Sequence, residues 1–172
     1  ELKATRLEAQ LALVRLEVDA GGLKGELALP AGEGAGERLT LARAGVGVTA
    51  FDDGGVGVAG VLDHPELPVN EDWTEARPTP EMRRAIAEQI DALLGRLAAQ
   101  EEGLSPAGRS RAARCVLRFL AGRGISAPAH LDALTAPVWG LASCKLFWTC
   151  DGRWLDLRTL AGRVHRGGTV PV

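Results

Sequence analysis

The strongest constraint on the fold is a change of apolar periodicity near residue 80. Before this point apolar residues alternate with polar ones, as in LKGELALP, where Leu23, Leu27 and Leu29 share one face. From about Pro80 to Gln100 the spacing becomes 3.6, as in an amphipathic helix. The apolar residues at this spacing are Met82, Ala85, Ile86, Ile90, Leu93, Leu94 and Leu97. Strands followed by a long helix predict an α+β fold.

The first 63 residues are predicted to form a small mixed or antiparallel sheet. The predicted strands lie in residues 7–18 and in the segments LKGELALP, LTLARAGV, GVGVTAF and GVGVAGVLD. Residues 31–37, AGEGAGE, are predicted to be a surface turn that joins two antiparallel strands. The turn Asp52-Asp53-Gly54-Gly55 suits a tight hairpin between the last two strands.

The rest of the chain is predicted to be mainly helical. Thr79 is the expected N-cap of the long helix, and Glu101-Glu102-Gly103 is the expected domain boundary. Residues 1–102 then form a sheet-plus-helix domain, and residues 103–172 form a helical C-terminal subdomain with a terminal hairpin. The elements predicted there are a helix opened by Ser105-Pro106, a short helix over Pro128–Leu134, a hairpin turning at Asp151-Gly152, a helical turn over Arg158–Gly162 and an edge strand in RGGTVPV.

Composition indicates a protein of the cytoplasm. The net charge is −2, and the apolar runs are much shorter than the roughly 20 residues that cross a bilayer. Glu1–Gln10 is charged, unlike a secretory signal. The three cysteines contain no CxxC pair, which argues against a disulfide framework or a closed zinc site. We therefore expect a reducing compartment and neither metal nor membrane association.

No motif typical of catalysis is present in the sequence. His64, His130 and His165 lack the spacing of a metal site, and the glycines of residues 45–60 include no phosphate-loop pattern. No nucleophile elbow or cysteine-protease signature surrounds any thiol. The chain itself is therefore predicted not to be an enzyme, with a small enzyme of unrecognised site as the alternative.

A second alternative is a nucleic-acid-binding module that uses the Arg109–Arg123 segment. Its arginines recur near helical spacing, so part of the set forms one positive face: Arg109, Arg111, Arg114, Arg118 and Arg123. Phe119 is the only aromatic residue among them and is expected to pack inward. This composition favours an ordinary solvated face over nucleic-acid binding.

The segment from Gly57 to Asn70 resembles the middle domain of the ninety-kilodalton heat-shock chaperones. In that family a strand that ends in a GVVDS-type sequence leads through an LPLN turn to a helix. The matching residues are Gly60, Val61, Leu62, Asp63, Leu67, Pro68, Val69 and Asn70. The resemblance covers residues 20–100, and LFWTCDGRWLDLRTL is similar to later regions of large bacterial GHKL-type ATPases. The resemblance implies that the chain is a transducer-like coupling or interaction module of a larger GHKL-ATPase-like or chaperone-like protein.

Trp73 stands where the chaperones carry an arginine. In that family the arginine reaches the γ-phosphate bound by the preceding domain, where its charge stabilises the transition state. The nearest arginine here is Arg77, and the chain lacks the Asn, Asp and Gly boxes of the ATPase head. We therefore expect neither ATP binding nor any other cofactor.

The expected partner is another protein or an adjoining domain of the parent chain. Trp73 is either displayed for that partner or folded back over the sheet or the long helix. The candidate interaction residues are Leu67, Asn70, Trp73 and Arg77 in the turn, with Arg111, Arg114 and Arg118 on the basic helix.

Overall fold

The computed structural model describes residues 11–32, 37–53, 55–122 and 136–165. The strands are β1 (Ala12–Ala20), β2 (Leu23–Pro30), β3 (Leu39–Arg43), β4 (Val46–Phe51), β5 (Ala59–Asp63), β6 (Phe147–Trp148) and β7 (Trp154–Leu155). The helices are α1 (Pro80–Ala99), α2 (Pro106–Gly122), α3 (Ala136–Ser143) and α4 (Leu157–His165), with a short 3₁₀ turn at Glu101–Gly103. The predicted α+β class is confirmed.

The first five strands form one mixed sheet in the order β1-β2-β5-β3-β4. Its neighbours are antiparallel except β3 and β5, which run parallel. Two predicted pairings are wrong. β4 and β5 do not form a hairpin across Asp52–Gly55, and β2 does not pair with β3 across residues 31–37, because β5 lies between β2 and β3.

The position of β5 follows from its small, apolar residues. Ala59, Gly60 and Leu62 are buried, as a central strand requires, whereas Val46 of the edge strand β4 is 36% exposed. A side chain at Gly60 would collide with the carbonyl oxygen of Glu26 on β2. Glycine at this position therefore lets β5 approach β2 closely.

The hairpin that does form joins β3 and β4 through Ala44-Gly45. Both residues have positive φ, 52° and 78°, as in a two-residue type I′ turn. Alanine is an uncommon residue in this conformation, since its Cβ crowds the backbone. Because alanine stands where asparagine or aspartate is usual in such a turn, the sequence contained no Asn-Gly or Asp-Gly signal for this hairpin.

One face of the sheet and one stripe of α1 supply the core of this part of the chain. Leu16 lies opposite Leu27, and Leu41 lies opposite Leu62, so these leucines share a face and are all buried. In the same unit of the chain, the α1 stripe contributes the buried residues Ile86, Ile90 and Leu93. Burial of each such side chain contributes about 2 kcal/mol to the free energy of folding, because its apolar surface is removed from water.

The start of α1 agrees with the sequence prediction. The hydroxyl oxygen of Thr79 accepts a hydrogen bond from the Met82 amide at 3.3 Å, and its carbonyl accepts one from Arg83 at 2.9 Å. Thr79 is therefore the N-cap, and its hydroxyl satisfies the Met82 amide, which has no partner within the helix. None of the described helices is both long and apolar enough to cross a membrane.

The chain divides into two compact units. The first comprises Glu1–Asp53 and Gly57–Leu93, and the second comprises Gly54–Val56 and Leu94–Val172. This division falls inside α1, before the predicted boundary at residue 102. The assignment of residues 103–172 to a separate subdomain stays a prediction.

The second unit contains the predicted second helix and the predicted hairpin. Ser105 caps α2 by accepting a hydrogen bond from the Gly108 amide at 3.1 Å. β6 and β7 pair antiparallel around Asp151-Gly152 and are followed by α4, in which the predicted helical turn lies. Phe119 packs inward as predicted, and the other apolar residues of α2 that are buried with it include Ala112, Cys115, Val116 and Leu120.

Helix α3 was not predicted. Its sequence, APVWGLAS, has no polar face and contains Gly140, so it lacks the amphipathic signal of a surface helix. The predicted helix over Pro128–Leu134, the predicted strand in RGGTVPV and His130 lie outside the described residues.

Candidate functional site

The segment after β5 forms a small closed loop of residues 69–76, here called the Trp73 loop. Val69 and Ala76 form an antiparallel bridge at its base. The Asn70 amide donates to the carbonyl of Glu75 at 3.0 Å, and the Arg77 amide donates to the carbonyl of Pro68 at 3.0 Å. These bonds close the loop with backbone contacts alone.

The side chain of Asn70 holds the interior of the loop. Its Oδ1 accepts hydrogen bonds from the amides of Thr74 at 2.8 Å and Glu75 at 3.0 Å. Its Nδ2 donates to the hydroxyl of Thr74 at 2.9 Å. An asparagine side chain that replaces a backbone turn in this way fixes the path of the chain. The geometry of the loop is therefore set before any partner arrives.

Trp73 lies at the tip of this loop in a strained conformation. Its φ is +54°, a region that bulky residues adopt rarely and at a cost of about 1–3 kcal/mol. Its amide donates to the carbonyl of Asn70 at 3.1 Å, which contributes to holding this conformation. The residue is 41% exposed. The loop thus displays a large aromatic side chain at an energetic cost.

One face of the Trp73 ring is covered by an arginine from the sheet. The guanidinium carbon of Arg43, the last residue of β3, lies 5.4 Å from the ring centre, within the range of a cation–π contact. Arg43 is also the partner of Val46 across the β3–β4 hairpin. The indole is therefore oriented by the sheet as well as by its own loop.

The loop residues next to Trp73 in the sequence are mainly acidic. Glu71 and Asp72 precede Trp73 and are exposed. Glu75 forms an ion pair with Arg77 at 3.4 Å, but both side chains are largely in solvent, at 57% and 82% exposed. An ion pair so exposed adds little to stability. The apolar centre of this surface is therefore Trp73, with charged groups around it.

The structure brings together three of the four residues predicted for this turn. Asn70, Trp73 and Arg77 belong to the Trp73 loop or adjoin it, and all three are exposed. Leu67, in contrast, is 2% exposed, so its side chain is not displayed for a partner. The leucine instead contributes to the core beneath the loop. Sequence analysis missed Arg43, because no local signal links the end of β3 to a loop after β5.

The basic face predicted on α2 is only partly present. Arg111 is 1% exposed, which contradicts its predicted place on a solvated face. It lies four residues before the buried Cys115 and three after the buried Gly108, so helical periodicity directs it inward. Arg114 and Arg118 are exposed as predicted. Arg109 is partly buried and forms an ion pair with Glu101 at 2.9 Å.

Among the described residues, no group of three or more His, Cys, Asp or Glu side chains is placed to hold a metal ion. Cys144 is buried, and its thiol donates to the carbonyl of Gly140 at 3.2 Å. Desolvation, followed by the charge of Glu101, raises the pKa of Cys144 to about 12. The thiolate required for nucleophilic attack is therefore scarce at neutral pH.

An open depression of about 460 Å³ in the second unit offers no ready catalytic base. It is lined by Ser143, Asp156, Arg158 and Thr159. Both carboxylate oxygens of Asp156 accept hydrogen bonds from Thr159, each at 2.7 Å. Asp156 therefore serves as the N-cap of α4.

The chain matches no protein-family model, and no curated protein matches its sequence.

Proposed function

We propose that this chain is a non-catalytic protein-interaction or domain-coupling module, with the Trp73 loop as its docking element. The observation that carries the proposal is the display of Trp73 at positive φ on a loop closed by Asn70. A strained aromatic residue that remains 41% exposed is better explained by contact with a partner than by the stability of the chain.

The physical basis is the known energetics of interfaces. Tryptophan is among the residues that contribute most to binding, often 2 kcal/mol or more when truncated, and it does so at the centre of a contact ringed by polar groups. Glu71, Asp72 and Arg77 supply such a polar rim around Trp73. Because the loop is held by Asn70, little conformational entropy is lost when the partner binds.

The resemblance to chaperone middle domains supports a coupling role. We place the parent among bacterial, cytoplasmic GHKL-ATPase-like or chaperone-like proteins, with an adjoining domain or a separate protein as partner. With Trp73 in place of the arginine of that family, docking depends on burial of an indole rather than on contact with a phosphate.

The test is photo-crosslinking from the tip of the loop. A benzophenone amino acid is introduced at Trp73 in the natural gene product and, as a control, at Glu88, which is exposed on α1. We expect position 73 to give a defined adduct with one protein segment, identified by mass spectrometry, and position 88 to give none. Equal, unspecific labelling from both positions would contradict the proposal.

A further inference from the structure

The second unit displays its own tryptophan on the hairpin of β6 and β7. Trp148 is 59% exposed, more than Trp73. It lies directly opposite Trp154, and the two ring centres are 5.0 Å apart with an interplanar angle of 59°. One side of the Trp148 ring is thus supported by Trp154, while most of the side chain is in solvent.

The ring that supports Trp148 is itself fixed from below. The guanidinium carbon of Arg109 on α2 lies 5.6 Å from the centre of the Trp154 ring. Arg109 donates to Glu101 at 2.9 Å and to the carbonyl of Lys145 at 2.8 Å. This chain of contacts makes the two indoles a rigid platform.

The turn of the hairpin is also rigid, and it holds the platform in register. Thr149 is 4% exposed; its amide donates to the carbonyl of Arg153 at 2.9 Å, and its hydroxyl oxygen accepts a hydrogen bond from the Arg153 amide at 3.3 Å. Its carbonyl accepts a hydrogen bond from the Gly152 amide at 3.0 Å. The hydroxyl of Thr149 also contacts the carboxylate of Asp151. A ligand would therefore meet a preformed surface.

The charges next to this platform are mostly positive. Arg153 has 73% of its side chain exposed, and its Nε lies 3.8 Å from the carboxylate of Asp151, in an ion pair too exposed to bind the arginine strongly. Arg163 and Lys145 are also exposed. The hydrogen bond from Thr149 and, to a smaller extent, the charges of Arg153 and Arg163 hold the pKa of Asp151 below its usual range. Both arginines therefore act on the turn beside Trp148.

We propose that Trp148, with Arg153, Arg163 and Lys145, forms a binding surface for single-stranded nucleic acid. A base stacks on any open ring face, and phosphates on either side of it meet the cations, which is the combination that sequence-tolerant single-strand binders use. An acidic peptide would supply the negative charges, but its carboxylate side chains include no planar ring that stacks on the exposed indole of Trp148. This surface is distinct from the exposed arginines Arg114 and Arg118 of α2, a helix with no exposed aromatic residue, and it does not depend on the role of the Trp73 loop.

The test measures fluorescence anisotropy of labelled oligo(dT) of about ten nucleotides, within the site sizes of known single-strand binders. We expect binding that weakens with salt, with a slope of about −2 in the plot of log K against log salt if three phosphates are neutralised. Trp148→Ala should weaken binding at least about fivefold, as loss of one stacked base predicts. Trp148→Phe should restore most of it, because a phenyl ring still stacks.

A charge-matched pair locates the surface. Arg153→Glu and Arg114→Glu change the net charge equally, and both arginines are exposed, but Arg114 lies on α2. We expect a marked loss of oligo(dT) binding in Arg153→Glu and only a small change in Arg114→Glu. Equal losses in the two variants would contradict the proposal, as would binding that Trp148→Ala leaves intact.

Polyglutamate that binds as tightly as oligo(dT), with the same dependence on Trp148, would assign the surface to acidic proteins instead. No binding to oligo(dT) would also overturn it.

Discussion

The guanidinium carbon of Arg43 lies 5.4 Å from the centre of the Trp73 ring, which ties the end of β3 to the tip of the Trp73 loop. A cation above an exposed indole contributes about 0.5–1 kcal/mol. A double-mutant cycle of Arg43→Ala and Trp73→Ala, measured by denaturant unfolding, should therefore give a coupling energy of that size. Arg43→Lys should keep part of it. Independent, additive effects of the two substitutions would show that the contact does not orient the ring.

Asn70 should determine the shape of the loop. Asn70→Ala removes the acceptor for the Thr74 and Glu75 amides, and we expect it to lower the free energy of unfolding by about 1–2 kcal/mol, as loss of comparable capping side chains does. Asn70→Asp keeps the acceptor and loses only the donor to Thr74, so its effect should be smaller. Denaturant unfolding of both variants gives the comparison, and equal losses would contradict the assigned role of Oδ1.

The class of fold and the principal elements could be predicted from the sequence because they depend on local signals. The stripe of α1, the cap at Thr79 and the hairpin around Asp151-Gly152 each lie within one short segment. Pairing of β5 with β2 and β3 could not be predicted, because it depends on close approach at Gly60 between strands distant in sequence. The Ala44-Gly45 turn was missed since alanine at positive φ has no sequence signature.

The sequence likewise predicted only part of the candidate site. Trp73 and Asn70 belong to the segment that resembles the chaperones, so the sequence indicated where to look. The sequence left open whether Trp73 is displayed, because exposure depends on Arg43 and on the positive φ of Trp73 itself. The burial of Arg111 did have a signal, namely its helical spacing from Cys115.

The cysteines should differ sharply in reactivity. Cys150 is exposed in the β6–β7 turn, whereas Cys115 and Cys144 are buried. Burial, and then the charge of Glu101, raises the pKa of Cys144 to about 12, so its reactive thiolate is scarce below that pH. Native protein treated with iodoacetamide near pH 8 should be modified at Cys150 alone, and unfolded protein at all three. Mass spectrometry of the peptides reports the sites, and rapid native labelling of Cys144 would contradict the packing around it.

Asp156 should make the second unit sensitive to acid. Burial alone would raise the pKa of Asp156, but hydrogen bonds from the amide and hydroxyl of Thr159 outweigh it and lower the pKa. A lowered pKa in the folded state adds stability above the unfolded-state pKa, and this stability is lost as pH falls through the folded-state value. Between neutral and acidic pH, the free energy of unfolding should therefore fall less for the Asp156→Asn variant than for the unmodified chain. Parallel pH profiles from denaturant unfolding would count against the assignment.

Truncation of Trp73 should cost little stability. We expect Trp73→Ala to lower the free energy of unfolding by about 1 kcal/mol, well below the 3–5 kcal/mol of a core tryptophan. Trp73→Gly should be at least as stable as Trp73→Ala, because glycine adopts the φ of +54° without strain. The denaturant midpoint at an unchanged slope is the measurement.

The central claim is tested most directly by competition against the crosslink from position 73. The natural gene product with the benzophenone at Trp73 is irradiated in the presence of excess chain that is either unmodified or carries Trp73→Ala, both shown to be folded. The account predicts that the unmodified chain suppresses the adduct, given in excess over a separate partner or over the roughly millimolar effective concentration of an adjoining domain. Trp73→Ala should suppress it at least about thirtyfold less effectively, as a 2 kcal/mol loss of binding implies. Equal suppression by the two chains would contradict it.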